Sequence, residues 1–165
     1  MANIRIVADS TSDLTPELRA ENNILTTPLC IVLGDKSYYD GEEITPSEIV
    51  EWADANKTTP KTAATTFEKT TPIFTKCKEA GEDVIFFGIS EDVSTTCNVA
   101  RLTASDLEYD RVFVIDTKSL CLGEGIQVLR AVDMIKEGKS AEEIVAAIEA
   151  AGYKPGDDFR IAMDG

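Results

Sequence analysis

The sequence predicts a doubly wound α/β domain: a mostly parallel sheet with flanking helices and a small β-hairpin. Strand-length apolar runs at residues 4–8, 83–89 and 112–115 are each followed by a turn rich in Ser, Thr or Asp and then by a helical segment. The run at 83–89 is apolar without alternation, the pattern of a strand covered on both faces. With 165 residues, 43% apolar and 28% charged, the chain has the length and composition of one domain with a proper core.

The opening strand ends in Asp9-Ser10-Thr11-Ser12-Asp13, and Pro16 then stands in the first turn of a helix running to about Glu21. Residues 24–33 are β-rich and stop at Gly34-Asp35, a two-residue turn that folds residues 36–39 back as a hairpin. Thr45-Pro46-Ser47-Glu48 supplies an N-cap, an early proline and a capping-box acid for a helix that fades near Lys57. The Thr-rich loop 58–66 leads to a second helix ending near Gly81, in which Pro72 predicts a kink or a late start. Helices over about 98–107 and 125–136 follow the two later strands. A last helix, with Ser140 and Glu143 forming another capping box, runs to about residue 151.

Thirty acidic against 16 basic residues give a net charge of −14, and there is no run of Lys or Arg, which argues against nucleic acid and anionic membranes as partners. The sequence has no histidine, and Cys30, Cys77, Cys97 and Cys121 are widely spaced. Zinc frameworks and histidine-based triads are thereby excluded. No segment has the length of a membrane span, and no basic stretch followed by a long apolar one opens the chain. The expected location is cytoplasmic, with reduced cysteines.

In parallel sheets ligands settle at the carboxyl ends of the strands, and three loops fall there: residues 9–13, 90–96 and 116–119 with Gly123. Two run into helices, whose N-terminal N–H groups favour an anion without any cationic side chain. The same residue types are also ordinary helix caps. Asp9 and Asp116 could form an acid–base pair or a magnesium site, or could simply bond loop N–H groups. Gly123-Glu124-Gly125 reads as packing at a helix start rather than a dinucleotide fingerprint, and Tyr38, Tyr39 and Trp52 read as packing. Cys97 lies near a helix N-terminus but has no base to activate it.

Asp9-Ser10-Thr11-Ser12-Asp13-Leu14, Lys36-Ser37-Tyr38-Tyr39-Asp40-Gly41 with Ile44-Thr45-Pro46, Pro60-Lys61-Thr62, and Val114-Ile115-Asp116-Thr117-Lys118-Ser119 with Gly123 together closely resemble the DegV family of bacterial fatty-acid-binding proteins. The resemblance covers about residues 3–150, in order and at the family's spacing. It implies a non-enzymatic protein that uses no cofactor, holds one long-chain fatty acid and presents the carboxylate to a separate fatty acid kinase subunit. Thr62 and Ser94 match the family's carboxylate-binding threonine and serine, with Ser10, Thr95 and Asp116 as supporting residues. A carboxylate held by hydroxyls and helix-terminal N–H groups stays anionic without a salt bridge. The chain departs from the family pattern at Ala63-Ala64-Thr65 and at Thr95, where the family has glycine.

On this reading residues 1–150 are the family's N-terminal domain. Residues 151–165 are an atypical tail, similar to a short piece of enolases in which Asp164 matches a magnesium ligand. The second domain is absent, so the chain is expected to be a truncated, deleted or hybrid form. Two other functions stay open: a small-molecule α/β enzyme using Asp9 and Asp116 with a metal, and an interaction module that has lost its ligand.

Overall fold

The computed structural model describes residues 3–12, 14–119 and 121–151. The strands are β1 (Ile4–Asp9), β2 (Leu25–Thr27), β3 (Cys30–Leu33), β4 (Lys36–Tyr39), β5 (Lys61–Ala63), β6 (Asp83–Gly88) and β7 (Val112–Asp116). The helices are α1 (Pro16–Glu21), α2 (Pro46–Asn56), α3 (Phe67–Glu79), α4 (Thr96–Asp106), α5 (Cys121–Lys136) and α6 (Ala141–Ala151). The reading of the tail beyond Ala151 lies outside the described residues.

A four-stranded sheet runs β2-β1-β6-β7 with every pair parallel, and a three-stranded sheet runs β4-β3-β5 with every pair antiparallel. The large sheet is covered on both faces, as its unbroken apolar strands require. Ile6 and Ala8 of β1, Ile85 and Phe87 of β6 and Ile115 of β7 pack with Val128 and Ala131 of α5 and Ile144 of α6. The alternate residues Val7, Val84 and Phe86 pack with Phe74 and Cys77 of α3 and Ala100 of α4 on the opposite side. One residue of register shift would exchange the two faces, so complementary packing on both sides fixes the pairing. The small sheet closes a third core, in which Ile31, Leu33 and Ile44 meet Trp52 of α2.

The chain differs from the sequence expectation in four places. The β-rich run 24–33 divides at Pro28 into β2 and β3, which belong to different sheets. Proline lacks the N–H that a continuing ladder would need. The Thr-rich loop contains β5, three exposed residues whose strand character comes from pairing Thr62 opposite Ile31. Helix α3 forms as one segment with Pro72 inside it, starting from the Thr66 cap on the Lys69 N–H. Helix α5 starts four residues early, at Cys121, and so includes both glycines. Gly125 is there because a Cβ would stand 2.5 Å from the Ser12 carbonyl oxygen, so the helix lies directly against the turn that follows β1.

In strand order the chain leaves β1 for β2 on one side and returns with β6 on the other. The carboxyl ends of β1 and β6 therefore flank the point where open α/β sheets form their binding crevice.

Candidate functional site

At that edge a cleft of about 610 Å³ opens between the β5 region and the turn from β6 to α4. Thr62 comes to it on β5, Ser94 and Thr95 come on the β6–α4 turn, and Leu29, Ile89 and Val93 supply apolar surface. Two residues 32 positions apart, Thr62 and Ser94, thus line one cavity. Thr62 is exposed and Ser94 half-buried. Among the described residues the hydroxyls of Thr62 and Thr95 have no hydrogen-bond partner within the protein, and Thr95, although it occupies the N-cap of α4, makes no side-chain cap. Both stay available for a ligand.

Three carboxyl-edge side chains brace the cleft from behind, each accepting a backbone N–H of a lining residue. Asp9 accepts from Ile89 N at 2.6 Å, Ser10 Oγ from Leu29 N at 3.0 Å, and Asp116 from Glu91 N at 3.2 Å. Asp9, fully buried, also accepts from Thr11 N at 2.9 Å and from its hydroxyl at 2.5 Å, and that hydroxyl lies 2.7 Å from Glu124. Asp116 takes a second bond from Lys118 N at 2.9 Å. Both aspartates are therefore engaged with loop amides, the role of a turn-fixing carboxylate. Among the described residues no group of three or more His, Cys, Asp or Glu side chains is placed to hold a metal ion.

The lining carries no basic side chain, and its charged members are Glu91 and Asp92, of which Glu91 pairs with Arg101. An anion here would be held by hydroxyls and helix-terminal N–H groups alone. Cys97 is buried beneath the cleft. Burial first, then the carboxylates of Asp116 and Glu91, push its thiol up to about 12, away from the thiolate form that a nucleophile needs. Its sulfur also accounts for Gly88, since a Cβ there would collide with it. Tyr38 and Trp52 pack in the third core, and Tyr39 bonds Glu68 beneath the Lys69 ammonium.

Sequence reasoning found the hydroxyl residues but missed the apolar lining of Leu29, Ile89 and Val93. The signal for Leu29 was Pro28, which ends β2 and turns the chain across the sheet edge.

The DegV family model, described as "Uncharacterised protein, DegV family", matches residues 3–154. A DegV domain-containing protein of Deinococcus radiodurans is 35% identical over 161 residues, 98% of this chain and 56% of the relative. Among solved structures, a fatty-acid-binding DegV family protein from Thermus thermophilus superposes with a TM-score of 0.81 at 35% identity, covering 90% of this chain and 52% of that one. A stearic acid-binding protein from Eubacterium ventriosum gives 0.80 at 28% identity, covering 91% and 53%. The chain spans about half the length of the relatives it matches.

Proposed function

This chain belongs to the DegV family, and from that premise we propose that it binds a long-chain fatty acid, with the carboxylate between Thr62 and Ser94. The observation that carries the reading is the convergence of these two hydroxyl residues from separate elements on one cleft with apolar surface beside them. It agrees with the acids bound by the relatives from T. thermophilus and E. ventriosum. The protein holds the acid and does not transform it. Thr62 is exposed, which leaves the headgroup within reach of a second protein, and the fatty acid kinase subunit implied by the family resemblance is the partner we assign. We assign the encounter to the cytoplasm, the location expected from the sequence.

Each hydroxyl bond to a charged acceptor contributes about 1.5–3 kcal/mol, or roughly tenfold to more than a hundredfold in affinity. Ser94→Ala and Thr62→Val should each weaken stearate binding by about that factor and leave octadecan-1-ol nearly unchanged. Calorimetric titration of both ligands is the test. An unchanged acid-over-alcohol preference in both variants would remove the carboxylate assignment.

A further inference from the structure

Beneath Ser94 lies Thr96, a fully buried threonine that the binding reading above does not use. Its hydroxyl is 2.9 Å from Ser94 Oγ, and its backbone N–H donates to that same oxygen at 3.2 Å. From the other wall, the backbone N–H of Thr65 donates to Thr96 Oγ1 at 3.4 Å. Thr65, itself buried, is in turn tied to Thr70 at 3.5 Å, and Thr70 donates to the Thr66 carbonyl at 2.8 Å. The Thr96 hydroxyl thus joins the segment that carries Thr62 to the turn that carries Ser94.

Proton direction follows from counting. Each hydroxyl has one proton and two lone pairs. Among the described residues Ser94 Oγ is the only oxygen that the Thr96 hydroxyl can reach. Were Ser94 to donate inward, the Thr96 proton would be buried with no acceptor, which folded proteins avoid. Thr96 therefore donates to Ser94. The Ser94 oxygen then accepts twice from Thr96, once from N–H and once from O–H, and its own proton is left to point into the cleft.

We propose that Thr96 is a positioning residue that commits Ser94 to act as a hydrogen-bond donor towards the cleft, so that the site favours a strong, charged acceptor such as a carboxylate over the weaker acceptor of an alcohol. The inference rests on the fatty-acid reading above and adds to it a residue that sets headgroup specificity. It also accounts for a site that holds an anion without a cation. A donor fixed in direction before the ligand arrives loses little freedom on binding.

The test compares the ratio of stearate to octadecan-1-ol affinity, by calorimetry, in the wild-type chain, Thr96→Val, Thr96→Ser and Ser94→Ala. The valine keeps the shape and removes the hydroxyl, whereas the serine keeps the hydroxyl. Thr96→Val should lower the acid preference by about fivefold, less than Ser94→Ala, and Thr96→Ser should retain it within about twofold. A lowered melting temperature alone would move both ligands together and leave the ratio intact. If the valine variant does not fold, Thr96→Ala takes its place with the same expectation. A wild-type ratio in the hydroxyl-free variant, with the ratio lost in Ser94→Ala, overturns the role of Thr96 and leaves the site standing. A ratio unchanged in Ser94→Ala overturns the carboxylate reading and this inference with it.

Discussion

Asp9→Asn exchanges one carboxylate oxygen for an amide NH₂ at a position with no exposed surface, where the native side chain accepts three hydrogen bonds. Neither amide orientation serves all three. With the NH₂ towards β6, it faces the Ile89 N–H, which the native carboxylate holds at 2.6 Å; turned round, it faces the Thr11 N–H, held at 2.9 Å. In either case one N–H, that of buried Ile89 or of half-buried Thr11, loses its acceptor, at about 1–3 kcal/mol, and the remaining bonds lose their charge assistance. A total near 3 kcal/mol corresponds to a fall of roughly 6–12 °C in melting temperature for a chain of this size. Because Ile89 lines the cleft, stearate affinity should fall as well. Thermal denaturation followed by circular dichroism measures the first effect and calorimetry the second. A variant melting within about 2 °C of the wild type would refute the view that Asp9 fixes the crevice.

Gly125→Ala should destabilise the protein by about 1–2 kcal/mol, although alanine in a helix ordinarily gains about 1 kcal/mol over glycine, because the new Cβ meets the backbone oxygen of Ser12. A raised melting temperature would contradict the close approach. Asp92→Asn removes a like charge from the cleft lining and should tighten stearate binding about two- to fivefold without changing octadecan-1-ol binding, as read by calorimetry. Cys77 and Cys97 ionise at about 11 and 12 in the fold, against 9.0 when free, so their contribution to stability is complete below pH 9.0 and is lost as the pH rises towards those values. Thiol labelling at neutral pH should modify exposed Cys121 first and leave Cys77 and Cys97 intact until unfolding, with mass spectrometry as the readout.

The parts of the fold legible in the sequence were those in which local preference and burial agree. The unbroken run in β6 has the length and apolarity of a strand covered on two sides, and Thr45 with Glu48 marked the start of α2 through a capping box that the structure forms. β5 was not legible because Lys61, Thr62 and Ala63 are all exposed and are made a strand by a partner far along the chain. The start of α5 was hidden by Gly123 and Gly125, which propensity counts against a helix, although packing against the Ser12 carbonyl requires glycine at 125. Thr62 and Ser94 could be singled out by motif, but their convergence depends on how the chain crosses from one sheet to the other at Pro28. Asp9 and Asp116 were legible in the sequence only as a choice between acid–base or metal chemistry and the bonding of loop N–H groups. In the structure Asp9 accepts the Ile89 N–H and Asp116 the Glu91 N–H, as Ser10 accepts the Leu29 N–H.

A crystal structure of the chain grown with stearate tests the central claim most directly. The account predicts the headgroup in the cleft beside β5, with carboxylate oxygens at hydrogen-bond distance, about 2.5–3.0 Å, from Thr62 Oγ1 and Ser94 Oγ, and with the first methylenes against Leu29, Ile89 and Val93. A headgroup bound at any other surface of the protein, or a cleft that stays empty at saturating stearate, would contradict it.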